Sequence, residues 1–338
     1  MITENYDFVV MGLGPAGERA AAQAAYFGKK VAVIEKGLHP GGACANTGTL
    51  PSKTLREAAV HLSGLQARGL GGPLGGTNRA MTARSLLTRV ELVIQSERER
   101  ILRNMAKHGV TVFQGHAEFE DAHTVAVHEV DYDHAAPGSS PPARKTGRIT
   151  HRLNGKYILV GVGSSPHRPA EVPFDDKTVW DSDSILTLME VPRSLTVIGG
   201  GVIGSEYATI FAALGTEVHL IDGRDRILPF LDADIAKVLT SEMERMGVRF
   251  HVGKQPLSYR REGDEVVVEL EGKQVSAATL LFAAGRSGNT KDLSLSKAGV
   301  EADKRGLLKV NANYQTAVPH IYACGDVIGF PALASTSM

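Results

Sequence analysis

The chain has 338 residues, with 37 Lys plus Arg balanced by 37 Asp plus Glu. At about 150 residues per domain, this length implies two domains. The charge balance excludes a protein held to nucleic acid by a strongly basic face, and 43% hydrophobic residues exclude a disordered chain.

Residues 6–11 form a short apolar run that predicts a buried strand. A glycine turn follows at residues 12–17 and opens a helix of small residues that Gly28 closes. Residues 30–35 predict a second strand, ending in Glu35. Gly-rich residues 69–76 predict a loop, and residues 85–107 one long helix with its apolar stripe at Leu87, Val90, Val93, Ile94, Ile101 and Leu102. Residues 110–130 alternate as strands, and residues 135–146 read as an exposed hairpin loop. Residues 156–160 predict a strand that runs into a glycine turn, the expected crossover into a second domain. There the first design returns: strand 194–198, glycine turn 199–204, a helix to Leu214 stopped by Gly215, and strand 217–222 ending in Asp222. Residues 280–285 look like the crossover back.

The two designs are displaced by 187 residues. Such a repeat predicts an α/β protein with two Rossmann-like dinucleotide-binding domains. We expect the first over residues 1–162, the second inserted over 163–285, and a return to the first over 286–338.

Each G-x-G-x-x-G follows a strand, opens a helix and has an acid at the end of the next strand. Gly12 and Gly199 make the tight turn, and Gly14 and Gly201 let backbone approach a pyrophosphate. Gly17 and Gly204 let the helix pack close to the sheet. The helix N-terminus offers unpaired N–H groups to the anion, and Glu35 or Asp222 can accept two hydrogen bonds from a ribose diol. Glycine turns that bind nothing are the alternative for either copy.

Two dinucleotide sites suggest a flavin in one and a nicotinamide in the other. With its motifs at residues 41–53, 180–186, 285–290 and 316–326, the sequence resembles the two-dinucleotide flavoproteins related to lipoamide dehydrogenase and glutathione reductase. Within them it is most similar to the soluble pyridine nucleotide transhydrogenases. The resemblance implies that Gly12, Gly14, Gly17, Glu35, Lys36, Gly41, Gly42, Cys44, Ala117, Gly163 and Asp326 bind FAD. It assigns Gly199, Gly201, Val202, Ile203, Gly204, Asp222, Arg224 and Gly285 to NAD or NADP. Lys53, paired with Glu206 in a buried setting, is implied as a cation beside the flavin that stabilises negative charge as hydride arrives. A solvated helix lysine is the plainer alternative.

The chain departs from the disulfide reductases at Thr49, where they carry a second cysteine five residues after the first. With only two cysteines, Cys44 and Cys324, far apart, there is no disulfide scaffold and no cysteine-built zinc site, and buried reduced thiols are expected. No His pattern suggests a metal, and His116 and His167 read as surface or turn residues. Asp222 favours the ribose of NAD, while Arg224 and Arg226 suit the 2′-phosphate of NADP. Arg224→Ala is then expected to weaken NADP(H) alone and Asp222→Ala to weaken NAD(H), unless both arginines are only solvated loop residues.

The implied function is FAD-dependent transfer of hydride between NADPH and NAD⁺. The alternatives are an NAD(P)H oxidase or diaphorase, and a nucleotide-binding remnant without activity. Nicotinamide dinucleotides are the expected substrates, with neither nucleic acid nor membrane as a partner. No run reaches the ~18 apolar residues of a membrane helix, and residues 1–6 lack a basic leader, so a cytoplasmic location is expected. The resembling proteins continue into a third domain that forms a homodimer, whereas this sequence ends at Met338, inside the expected first turn of the preceding helix.

Overall fold

The parallel strands of this protein are apolar at consecutive positions, because they are covered on both faces. In Val9-Val10-Met11, Val9 and Met11 join one buried cluster while Val10 joins another on the opposite face. A computed structural model describes residues 3–67, 79–132 and 143–338.

In chain order the elements are β1 (Thr3–Met11), α1 (Pro15–Tyr26), β2 (Val31–Glu35), α2 (Gly42–Asn46), α3 (Thr49–Ala67) and α4 (Arg79–Lys107). Next come β3 (Thr111–Gln114), β4 (His116–Phe119), β5 (Thr124–Tyr132), β6 (Ala143–Val160), β7 (Ser164–Pro166) and β8 (Val179–Asp181). The repeated design follows as β9 (Ser194–Ile198), α5 (Val202–Ala213), β10 (Glu217–Asp222), α6 (Ala233–Arg245) and β11 (Val248–Val252). The last elements are β12 (Ser258–Glu262), β13 (Glu265–Leu270), β14 (Lys273–Ala277), β15 (Thr279–Phe282), β16 (Arg286–Gly288), β17 (Ile321–Ala323) and α7 (Ala334–Ser337).

The chain divides into two compact units. One comprises Met1–Leu50, Val93–Ser165 and Arg286–Met338, and the other Pro51–Leu92 and Pro166–Gly285. Residues 51–92, expected in the first domain from their place in the sequence, thus group with the second.

The first unit is built on a sheet ordered β3-β2-β1-β6-β5-β4, with β17 also pairing β6. Pairing is parallel around β1, with Val9 beside Ala32 and Ile158, and antiparallel where β5 meets β4 and β6. Ala21 of α1 and Ile101 and Met105 of α4 cover one face, together with Val10, Val33 and Leu159. The second unit has an all-parallel sheet ordered β11-β10-β9-β15-β8. Ile198, Ile221 and Phe282 of that sheet share a cluster with Val266, Val268 and Val275 of the antiparallel β12-β13-β14 meander.

Three local expectations change. The long helix starts at Arg79 rather than residue 85. Residues 143–146, expected in a loop, begin the 18-residue strand β6, while residues 69–76 and 135–142 of the expected loops lie outside the described residues. His116, expected at the surface, is only 8% exposed, because it stands directly opposite His128 where β4 pairs with β5. His167 is exposed, as expected.

Candidate functional site

In the first unit β1 gives way to Gly12 at φ 102°, and α1 starts three residues later. A Cβ on Gly12 would lie 2.6 Å from the Gly161 carbonyl oxygen, and one on Gly17 only 1.9 Å from that of Gly12. The second unit repeats this: Gly199 has φ 104°, and Cβ atoms on Gly199 and Gly204 would lie 2.8 Å from Ala283 O and 1.8 Å from Gly199 O. The chain's own packing therefore demands the first and third glycines. The middle ones are different. A Cβ on Gly201 would meet nothing within 4 Å, and one on Gly14 only the Gly42 Cα at 3.7 Å. Gly14 and Gly201 cap α1 and α5 without any side-chain hydrogen bond. Each helix thus opens on free N–H groups beside bare backbone, which fits a dinucleotide pyrophosphate.

The two acids are held alike. The Leu13 N–H donates to Glu35 Oε2 at 2.7 Å and the Gly37 N–H to Oε1 at 2.6 Å. Shifted by the same 187 positions, the Gly200 N–H donates to Asp222 Oδ2 at 2.5 Å and the Arg224 N–H to Oδ1 at 2.8 Å. Besides its two bonds Glu35 meets only a further backbone contact from Lys36, which leaves an acceptor position that fits a ribose hydroxyl. Burial raises its pKa, and the N–H groups of Gly37 and Leu13 only partly offset this. At Asp222, burial works in the same direction but is outweighed by the Arg224 side chain and the two N–H groups, so the pKa is lowered. Arg224 closes a fork on it, Nε to Oδ1 at 2.8 Å and Nη2 to Oδ2 at 2.6 Å.

In the second unit, Lys53 Nζ lies 2.6 Å from Glu206 Oε1, and Ser52 Oγ donates to Oε2 at 3.2 Å. The expected pair is present, but its setting is not buried as expected: the Lys53 side chain is 57% exposed and that of Glu206 15%. Val202 is 50% exposed and Ile203 half-buried at the mouth of α5, and Gly285 accepts the His167 N–H at 3.0 Å.

Elsewhere in the first unit, Ser164 Oγ donates to Asp326 Oδ2 at 2.7 Å and accepts from Arg286 Nε at 2.8 Å. Gly163 O accepts the Asn289 N–H at 3.1 Å, Lys36 is exposed, and Ala117 sits in the buried cluster beneath the sheet. Gly41 and Gly42 both have positive φ, and the Gly41 N–H donates to Leu13 O at 2.7 Å, drawing this segment to the first glycine turn. Cys44 and Cys324 are free thiols. Burial raises both pKa values, that of Cys324 to about 11, and a hydrogen bond with Thr49 partly offsets the rise at Cys44. Neither is set up as a reactive thiolate. Among the described residues no group of three or more His, Cys, Asp or Glu could hold a metal.

Sequence reasoning missed a brace around Glu35. Gln114 Nε2 reaches Glu35 O at 3.0 Å and Gly37 O at 2.5 Å, and the Tyr132 hydroxyl donates to Lys36 O at 2.9 Å. Both residues lie far along the chain from Glu35, and no local signal marks them.

Two glycine turns, each paired with a strand-end carboxylate, define an oxidoreductase of the two-dinucleotide class. The sequence pattern of pyridine nucleotide-disulphide oxidoreductases matches residues 6–338. The chain belongs to that family, which uses FAD together with NAD or NADP. It is 41% identical over 334 residues to the soluble pyridine nucleotide transhydrogenase of Mycobacterium bovis, covering 98% of this chain and 68% of that protein. It is 40% identical over 337 residues to the transhydrogenase of the same name from Colwellia psychrerythraea, with the same coverages. Among solved structures it is similar to the HOCl-induced flavoprotein disulfide reductase RclA from Escherichia coli. There the TM-score is 0.82 and the identity 28%, over 99% of this chain and 68% of that one. No helix among the described residues is long and apolar enough to cross a membrane.

Proposed function

We propose that the chain moves hydride between NADPH and NAD⁺ by way of FAD, as the name of its transhydrogenase relatives implies. One observation carries this reading: two dinucleotide units stand in one chain whose Cys44 has Thr49, and no second cysteine, as its neighbour. Bound FAD supplies a ring that accepts and donates hydride. The first unit holds the cofactor through the bare backbone at Gly14, the adjoining Gly41–Gly42 turn, the N-terminus of α1, and the Glu35 carboxylate. Asp326, held by the Ser164 hydroxyl that Arg286 in turn fixes, serves as an acceptor for its polyol chain. The N-terminus of α5 and Asp222 hold either nicotinamide nucleotide in turn. Lys53 supplies a cation, oriented by Glu206, that stabilises negative charge on the reduced ring. Outside residues 51–92, the expected domain limits belong to the same proposal, as does a cytoplasmic location.

Anaerobic titration tests it. The flavin-loaded protein is expected to bleach with NADPH and to regain its colour when NAD⁺ is added. Recolouring only with air would replace this reading with an NAD(P)H oxidase, and a protein that takes up no flavin would replace it with a nucleotide-binding remnant.

A further inference from the structure

The internal repeat provides its own control for the second acid. Glu35 and Asp222 receive equivalent backbone N–H groups, from Leu13 and Gly37 in one unit and from Gly200 and Arg224 in the other. Residue 37 is glycine, so nothing returns to the Glu35 carboxylate. Residue 224 is arginine, and its guanidinium returns to both oxygens of Asp222. A carboxylate offers about four lone-pair positions. Glu35 is met by backbone alone, from Leu13, Gly37 and, more weakly, Lys36, and keeps an open position for a ribose hydroxyl. Asp222 accepts four bonds and has none.

We propose that Arg224 is a displaceable latch on Asp222, and that its displacement lets the second unit take both nicotinamide dinucleotides. The inference rests on the reading of that unit as a nicotinamide nucleotide site. The two backbone bonds stay in place while the two guanidinium bonds are given up. With an unmodified ribose, the two hydroxyls take over the vacated lone pairs and the guanidinium turns to water, where its side chain is already 49% exposed. With a 2′-phosphate, the released guanidinium binds that phosphate through its fork. Gly223, between the two residues, has no side chain of its own, and the Gln255 amide fills the space beside it, its Nε2 2.2 Å from where a Cβ would lie. Both nucleotides break the same pair, and only one gains the arginine. Arg224 therefore competes with NAD(H) rather than standing apart from it, which differs from the sequence-based expectation that Arg224→Ala affects NADP(H) alone.

The experiment is direct titration of NADH and NADPH against the full chain by nucleotide fluorescence, with no turnover required. In Arg224→Ala, NADH is expected to bind about threefold more tightly, the scale of a part-exposed ion pair. NADPH is expected to bind about tenfold or more weakly, the scale of a lost charged hydrogen bond. Arg224→Lys, which keeps the charge without the fork, should tighten NADH likewise and keep much of the NADPH affinity; it serves if the alanine variant folds poorly. Unchanged or weaker NADH binding in these variants would overturn the latch while leaving the site assignment standing. Failure of the unaltered chain to bind either nucleotide would overturn both.

Discussion

Lys53 Nζ and Glu206 Oε1 lie 2.6 Å apart although 153 residues separate them in sequence. The lysine follows Pro51-Ser52 in α3, and the glutamate sits on the first turns of α5, two residues past Gly204. Because Lys53 is 57% exposed, the pair contributes about 0–1 kcal/mol to stability. The role proposed for it is to aim a cation, not to hold the fold.

Lys53→Met should therefore leave the melting temperature and nicotinamide affinity nearly unchanged while slowing flavin reduction by NADPH about tenfold or more. Anaerobic stopped-flow absorbance measures this. Equal reduction rates in the two proteins would remove Lys53 from the chemistry.

The glycines make separable predictions. Gly204→Ala places a Cβ 1.8 Å from a backbone oxygen and should destabilise the second unit. Gly201→Ala adds a Cβ to open space, so its thermal unfolding should match that of the unaltered protein. Its nucleotide binding should nevertheless weaken, because the pyrophosphate needs the same space. Melting curves and NADPH titration together decide the matter, and full affinity in Gly201→Ala would place the pyrophosphate elsewhere.

Acid should unfold this protein through its histidines. Burial lowers the pKa of His116 to about 4 and, with Lys273 nearby, that of His251 to about 4; His128 and His219 are lowered in the same way. In the unfolded chain these side chains titrate near 6.5. Between the two values the unfolded state binds more protons, so stability is fully present above pH ~6.5 and declines as pH falls towards 4. His116 alone accounts for at most about 3 kcal/mol of this loss. Urea unfolding from pH 7.5 to 4.5 checks the slope. A His116→Phe variant should show a shallower decline, and an identical slope would show that His116 does not titrate on unfolding.

Thr49 removes the dithiol route. Reduction of lipoamide or glutathione disulfide should not exceed background, and Cys44→Ala should leave flavin reduction by NADPH unaltered. Flavin-dependent disulfide turnover that persists in Cys44→Ala would show an electron route that bypasses Cys44.

The elements that carry the repeat were legible because their causes are local. A tight turn needs Gly12 or Gly199, a close helix–sheet contact needs Gly17 or Gly204, and a buried parallel strand needs continuous apolar residues such as Val9-Val10-Met11. Spacing along the chain expresses all of these directly, and so it also places Glu35 and Asp222 at strand ends. Other features depend on which distant segments pair. His116 is buried because β5 brings His128 opposite it. The 35–37 turn is braced because β3 and β5 carry Gln114 and Tyr132 to its carbonyls. Even the Arg224 fork on Asp222, only two residues long, was not legible. Its rotamer follows from the fold of the turn around a carboxylate already fixed by the Gly200 N–H. Sequence alone determined that this chain carries two dinucleotide-binding units, because turn chemistry and hydrophobic period act over a few residues. Only the tertiary structure decided that one of its two acids meets backbone donors alone and the other an arginine fork as well, because lone-pair occupancy depends on where every neighbouring donor comes to rest.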